Sequence, residues 1–291
     1  MGIKSFLKGI PLILSIKRKV WAYWHRPKSE DLLKGIQDLL IQDGILRVQA
    51  NEKNPLNSFG VRCFSQSDED GITLEIIKRL NLKSGTFIEF GVGDGLECNT
   101  LILAALGWKG FWVGGQDLAF DYSKSTKFHY LKDWITLENI TSLTEKGLER
   151  VGTAEADLIS IDLDGNDLYL VEQLLRTGHS PKVFIVEYNG KFPPPVRFTI
   201  KYDANHYWSA DDYFGASLQS FVDCFSKYKY KLVCCNSHTG TNAFFVRGDL
   251  AELFMDVPLD INDIYIAQRA VYLSRYSSGS SAKVVEQFVN Q

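Results

Sequence analysis

Thr86-Phe87-Ile88-Glu89-Phe90-Gly91-Val92-Gly93-Asp94-Gly95 begins as a buried strand and closes on glycine at every second position. A helical pattern, 99–106, follows it. Glycines in such a turn admit positive φ and let a ligand come close to the backbone. At the carboxyl end of a central strand, this turn is where open α/β sheets bind nucleotides. A dinucleotide fingerprint asks for glycine at position 96, but Leu96 stands there, so G-x-G-x-G describes the turn better than G-x-G-x-x-G. Glu89 lies two residues ahead of the first glycine and suits a cationic amino-acid ligand. A pyrophosphate would be repelled by that carboxylate. The structural alternative is an ordinary tight strand-to-helix turn.

Outward from this turn, short apolar runs alternate with longer helical patterns, the signature of a parallel sheet with helical crossovers. Strands are expected at 86–91, 110–114, 135–138, 157–162, 182–187, 229–235 and 242–247. Helices are expected at 72–80, 99–106, 142–151, 168–177 and 217–228, and the closing stretch 250–291 reads as helical with a Ser/Gly-rich break at 277–281. The last two strands are separated only by 236–241, which is hairpin spacing, so one of them runs antiparallel to its neighbours. The expected fold is therefore α/β: a doubly wound, Rossmann-like, mostly parallel seven-stranded sheet with an antiparallel strand in its C-terminal hairpin.

The 291 residues, 45% hydrophobic and 23% charged, are ample for one large core. A net charge of −3 gives no basic field of the kind nucleic-acid binders show, so no nucleic-acid partner is expected. Cys63, Cys98, Cys224, Cys234 and Cys235 include no C-x-x-C pair and read as reduced, apolar residues of a cytoplasmic protein. The segment 1–28 carries seven Lys or Arg and no acid, interleaved with Phe6, Trp21, Tyr23 and Trp24. Its apolar run 10–16 is too short to span a bilayer. It reads either as a basic helix on the inner face of an anionic membrane or as a packing element, within the domain or between copies in a homo-oligomer.

Two acidic strand ends carry the chemistry. One strand ends in Asp162-Leu163-Asp164-Gly165-Asn166-Asp167 and the next in Glu187-Tyr188-Asn189. Adjacent strands lie roughly 5 Å apart, so both tips meet at one sheet edge. Gathered carboxylates repel one another unless protons or a cation neutralise them. Oxygen ligands of this kind suit Mg²⁺ or Mn²⁺, with Asp162, Asp164, Glu187 and Asn189 as candidate ligands or substrate contacts. An EF-hand is excluded, because Asp167 sits where glycine is required and Gln173 where glutamate is required. Capping of the following helix by Asp164, Asn166 or Asp167 is the competing reading. The long segment 190–215 holds Arg197, Lys201, Tyr202, His206, Tyr207 and Trp208, a mixture suited to a carbohydrate acceptor. His206, His238 and Asp164 are the candidate catalytic residues, either histidine serving as a base near neutral pH.

Ser65-Gln66, Glu69-Asp70-Gly71, the Glu89–Gly95 turn, Asn99-Thr100, Gly107-Trp108-Lys109-Gly110, the two acidic strand ends and Asn242–Arg247 together resemble the FkbM-like class I S-adenosylmethionine-dependent methyltransferases. The resemblance spans about residues 64–247. It implies a seven-stranded sheet, S-adenosylmethionine as cofactor and O-methylation of a sugar in a bacterial surface polysaccharide or glycosylated metabolite. It also implies a cofactor site drawn from Ser65, Gln66, Glu89, Gly91, Gly93, Asp94, Asn99, Thr100, Gln116, Asp117, Asn139 and Asp162. On this reading 64–248 is the methyltransferase domain, with a basic helical extension at 1–63 and a helical extension at 249–291. One departure stands out: Gly114 occupies the end of the second strand, where such enzymes place an acid for the ribose, and Gln116 or Asp117 would have to take its place. A cofactor-binding scaffold without activity and an NAD-dependent nucleotide-sugar oxidoreductase remain the alternatives.

Overall fold

In β1 (Thr86–Phe90) every residue is buried, which only a central strand covered by helices on both faces achieves. The computed structural model describes residues 29–51, 53–237, 242–267 and 281–289. His238, the segment 1–28 and the Ser/Gly break up to Ser280 lie outside the described residues. The chain divides into two compact units, 1–40 and 41–291. Of the first, residues 29–40 are the start of helix α1 (Ser29–Asn51). The second holds the sheet and everything described below.

β2 (Lys109–Gly114) and β3 (Phe128–Lys132) extend the sheet on one side of β1, and β4 (Leu158–Ile161) and β5 (Val183–Glu187) on the other. β6 (Tyr230–Cys235) and β7 (Asn242–Arg247) complete the order β3-β2-β1-β4-β5-β7-β6. The first five strands are parallel, and β7 inserts antiparallel between β5 and β6. The seven-stranded, mostly parallel α/β sheet with an antiparallel pair is thus present. Helix α2 (Glu69–Arg79) leads into β1, and α3 (Leu101–Ala105), α4 (Ile140–Val151), α5 (Asp167–Arg176) and α6 (Leu218–Lys227) lie in the connections between strands. α6 starts where sequence chemistry directs it: Ser217 is extended, and its side chain accepts the Ser220 N–H.

The third strand is a correction. The apolar run 135–138 is not a strand; β3 lies earlier, pairing Phe128–Lys132 with Gly110–Gly114. Ile135 is still buried, but as a loop residue, because Asn139 accepts the Thr136 N–H and curls the segment into a turn ahead of α4. Only part of the closing stretch falls within the described residues. Among the described residues it holds a 3₁₀ helix (Gly248–Phe254), the single turn of α7 (Ile261–Ile264) and α8 (Ala282–Val289). α8 docks through Val284 and Phe288 on a second apolar cluster around Phe192, Phe198 and Ile200. Ahead of α2, Asn54 and Asn57 donate their side-chain amides to the carbonyls of Val233 and Cys235, which fastens this segment along β6. No described helix is long and apolar enough to cross a membrane.

Candidate functional site

The glycine turn after β1 is shaped by contacts that leave no choice of residue. Gly91 has φ +94°, and a Cβ there would sit 1.7 Å from the Asp162 carbonyl oxygen, so the residues that follow β1 and β4 meet backbone to backbone with no room for a side chain. Gly93 differs: a Cβ on it would meet nothing within 4 Å, and the residue faces open space. Behind the turn, the buried Glu89 carboxylate accepts from the N–H groups of Asn99 and Thr100 at 2.8 and 2.9 Å, and from the Thr100 hydroxyl at 2.6 Å. The Trp112 indole N–H donates to that hydroxyl in turn. Burial raises Glu89 to about pKa 7, against the pull of these donors. Glu89 therefore braces the chain that leads into α3.

The acids after β4 and β5 are arranged otherwise. Asp162, Asp164 and Glu187 each offer an oxygen, all within 4.8 Å of one another. Glu187 is 7% exposed, and its Oε2 has no hydrogen-bond partner. Burial, reinforced by the neighbouring carboxylates, holds both Asp162 and Glu187 well above the ordinary acid range. Asp164 is raised to about 6, by burial first and then by Asp167. Asp164 sits at φ +51°, in the left-handed region that Asp and Asn tolerate best after glycine. It is not a helix cap. The buried Asp167 holds the turn instead, accepting from the N–H groups of Leu163 and Gly165 at 2.8 and 2.9 Å.

These two features share one cavity of about 400 Å³ at the carboxyl edge of the sheet. Its floor is Gly91, Gly93, Gly114 and Gly115, and Asp162 and Asp164 form one wall. Gln116, Asp133, Trp134 and His206 line it as well, with Tyr207 and Trp208 at the side of the long 190–215 segment. The His206 turn is clasped from both sides. The Asn166 amide exchanges hydrogen bonds with the Asp203 backbone, and the Trp134 indole donates to the Ala204 carbonyl. The imidazole packs over Gly165, where a Cβ would lie 2.5 Å from its Cδ2, and its Nε2 is buried without a partner.

Of the residues the sequence singled out, Gly91, Gly93, Gln116, Asp162, Asp164 and His206 line this cavity. Glu187 joins through the acid cluster. Others serve turns nearby. Ser65 donates to Asp70, which also gathers the N–H groups of Cys63, Phe64 and Ser65. Asn99 donates to Ser160, and Asn139 fixes the loop before α4. The Asn189 amide donates to the carbonyls of Asp212 and Phe214, both at 3.0 Å, tying down the long segment. Asp94 accepts the Leu96 N–H, Asp117 pairs with Lys132, and Gln66 is exposed. Asp133 and Trp134 were missed. They follow β3 directly, and a correctly placed third strand points to them. Asp133 supplies the carboxylate beside Gly114, to whose carbonyl its N–H donates at 3.0 Å. A Cβ at Gly114 would lie 3.1 Å from Val92 Cγ2, a tight fit.

No family model and no curated protein matches the sequence. Among solved structures, a Lactococcus lactis protein provisionally named a hemolysin is 11% identical, with a TM-score of 0.42 over 64% of this chain and 91% of its own. A Podospora anserina methyltransferase solved with SAH is 9% identical, with a TM-score of 0.40 over 76% and 97%. The MycE methyltransferase of the mycinamycin biosynthetic pathway, in complex with Mg, SAH and mycinamycin VI, is 10% identical, with a TM-score of 0.33 over 60% and 45%. With TM-scores this low, none of these likenesses bears on what this chain does.

Proposed function

We propose that this chain is an S-adenosylmethionine-dependent methyltransferase acting on a sugar hydroxyl, with Asp162, Asp164 and Glu187 holding a divalent cation. The observation that carries the reading is the shared cavity, in which a glycine floor at the end of β1 meets an unneutralised acid cluster from β4 and β5. The residues fit both groups. Gly93 leaves a space that a side chain would fill, and Glu187 Oε2 is a buried acceptor with nothing to accept.

A sulfonium methyl is displaced in line by an oxygen, leaving a neutral thioether, so the protein has mainly to align and deprotonate the acceptor. Gln116 and Asp133 flank the glycine floor and are placed to hold the cofactor's hydroxyls in place of an acid at position 114. His206 lines the same cavity and its Nε2 has no hydrogen-bond partner, which makes it the candidate base for the acceptor proton. A cation bound by the acid cluster would lower the acceptor's pKa and fix its orientation. Tyr207 and Trp208 add aromatic surface for the sugar.

S-adenosylhomocysteine should raise the melting temperature of the protein, and NAD should not, because only a ligand of the folded state stabilises by mass action. Gly93→Val should abolish the shift. No shift with millimolar S-adenosylhomocysteine would remove the methyltransferase reading. Binding without methyl transfer to any sugar would leave a cofactor-binding scaffold.

A further inference from the structure

His206 also lines a second and larger depression, of about 790 Å³. Tyr169, Tyr202 and Tyr213 supply its aromatic surface. All three phenols are tied back into the protein. Tyr169 donates to the Ile200 carbonyl at 2.8 Å, Tyr202 accepts the Leu137 N–H at 3.1 Å, and Tyr213 accepts the Lys201 N–H at 3.1 Å. With their hydroxyls committed, these residues present ring surface, held still. Tyr169 and Tyr202 meet edge to face at 5.5 Å. Around the rings stand Lys201, Asp203, Lys283 and Glu286, two charges of each sign, so the groove has hydrogen-bonding groups but no net charge. One wall is α8, joined to the groove by the Gln287 amide, which donates to the Thr199 carbonyl at 2.8 Å, and by Lys283 over the Tyr213 ring.

We propose that this groove binds the body of an uncharged oligosaccharide, whose end reaches past His206 into the cavity of the acid cluster. Immobile rings suit the CH faces of sugars, balanced polar groups suit their hydroxyls, and neither selects for an anion. The volume lies in the upper part of the roughly 300–1,000 Å³ that encloses a drug-sized ligand, more than one sugar requires. The shared histidine makes the two depressions neighbours, which is what the proposed reach of the ligand requires. His206, whose Nε2 has no hydrogen-bond partner, is the residue that the two linings have in common. The assignment of which end reacts rests on the methyltransferase reading; binding in the groove does not.

The test is a printed array carrying neutral, uronate-bearing and sulfated glycans from monomers to octamers, probed with the fluorescently labelled full chain. Retention should rise with length over the first few units and be at least as strong for neutral as for acidic glycans. Tyr202→Ala and Tyr213→Ala should each weaken it roughly three- to tenfold, the scale of one lost aromatic contact. Tyr202→Phe, which keeps the ring, should restore it, separating ring stacking from the phenol's structural bond. S-adenosylhomocysteine titrated into the same variants should bind as it does to the parent. Retention of no glycan, a preference for acidic ones, or Tyr202→Ala behaving like the parent would overturn the proposal. Loss of S-adenosylhomocysteine binding in the parent with glycan retention intact would strike the methyltransferase reading alone.

Discussion

Two buried carboxylate groups stand at the same sheet edge and are treated in opposite ways. Glu89, at β1, meets three donors within 2.9 Å. Glu187, at β5, meets Asp162 and Asp164 and keeps an oxygen unpaired. Burial is equally severe for both, so the difference lies in what the neighbours offer. A satisfied buried acid is part of the scaffold, whereas an unsatisfied one in a cluster of its own sign stores affinity for a proton or a cation.

The sharpest way to break the contrast is to remove each acid in turn. Glu89→Ala strands two backbone N–H groups and a hydroxyl in the core. Unfolding by denaturant should show a loss on the order of 3–5 kcal/mol. A loss under about 1 kcal/mol would mean that the donors find water and that Glu89 is no brace. Glu187→Gln should act in reverse. It relieves repulsion, so the unfolding midpoint in chelator should hold or rise, while methyl transfer falls at least ~10²-fold. A destabilised Glu187→Gln protein with normal turnover would place it with Glu89.

Asp164→Asn is milder and more selective. Asn tolerates the same left-handed backbone and no cap is lost, so stability should change by less than about 0.5 kcal/mol. Turnover in the presence of Mg²⁺ should still drop, and cofactor affinity should not. Unchanged turnover would free Asp164 of any chemical role.

Acidity offers a further handle. Asp164, Asp162 and Glu187 are all raised on folding, so the folded state holds protons that the unfolded chain has released. Without cation, their contribution is complete below the ordinary carboxylate pKa of about 4 and is lost as pH climbs through the folded values, about 6 for Asp164. A bound cation replaces those protons. Melting curves in Mg²⁺ and in chelator should therefore coincide near pH 5 and separate increasingly above pH 6. Parallel curves across that range would argue against a cation at the cluster. The smallest effect expected is from Gly165→Ala. Its Cβ would press on the imidazole of His206, and kcat should fall about tenfold with KM for the acceptor little altered.

How much of this was legible in the sequence follows the same contrast. The central strands and the glycine turn could be read directly, because strands buried on both faces are continuous apolar runs and a turn that touches a neighbouring backbone must be glycine. β3 could not, because Phe-His-Tyr-Leu-Lys at an edge is less apolar than the loop Ile-Thr-Leu that follows it. That slip hid Asp133 and Trp134. The acids were legible as a group but not as individuals. Whether a carboxylate is free depends on donors brought to it by folding: Asn99 and Thr100 for Glu89, ten and eleven residues away, or the Asp212 and Phe214 carbonyls that occupy Asn189. The pattern of residue types carries no record of those meetings.

The insertion of β7 between β5 and β6 governs how the chain can be made. During synthesis from the N-terminus, β5 emerges with its outer edge, Val183–Glu187, bare, and the partner for that edge ends only at Arg247. β6 is finished earlier but cannot cover it, since β6 pairs with β7 alone. For some sixty residues of elongation the growing protein therefore exposes an apolar strand edge open to any other strand. A ribosome that stalls in that interval, or a gene cut short before codon 247, leaves a chain with the glycine turn and every acid of the cluster already made, yet prone to join its neighbours edge to edge.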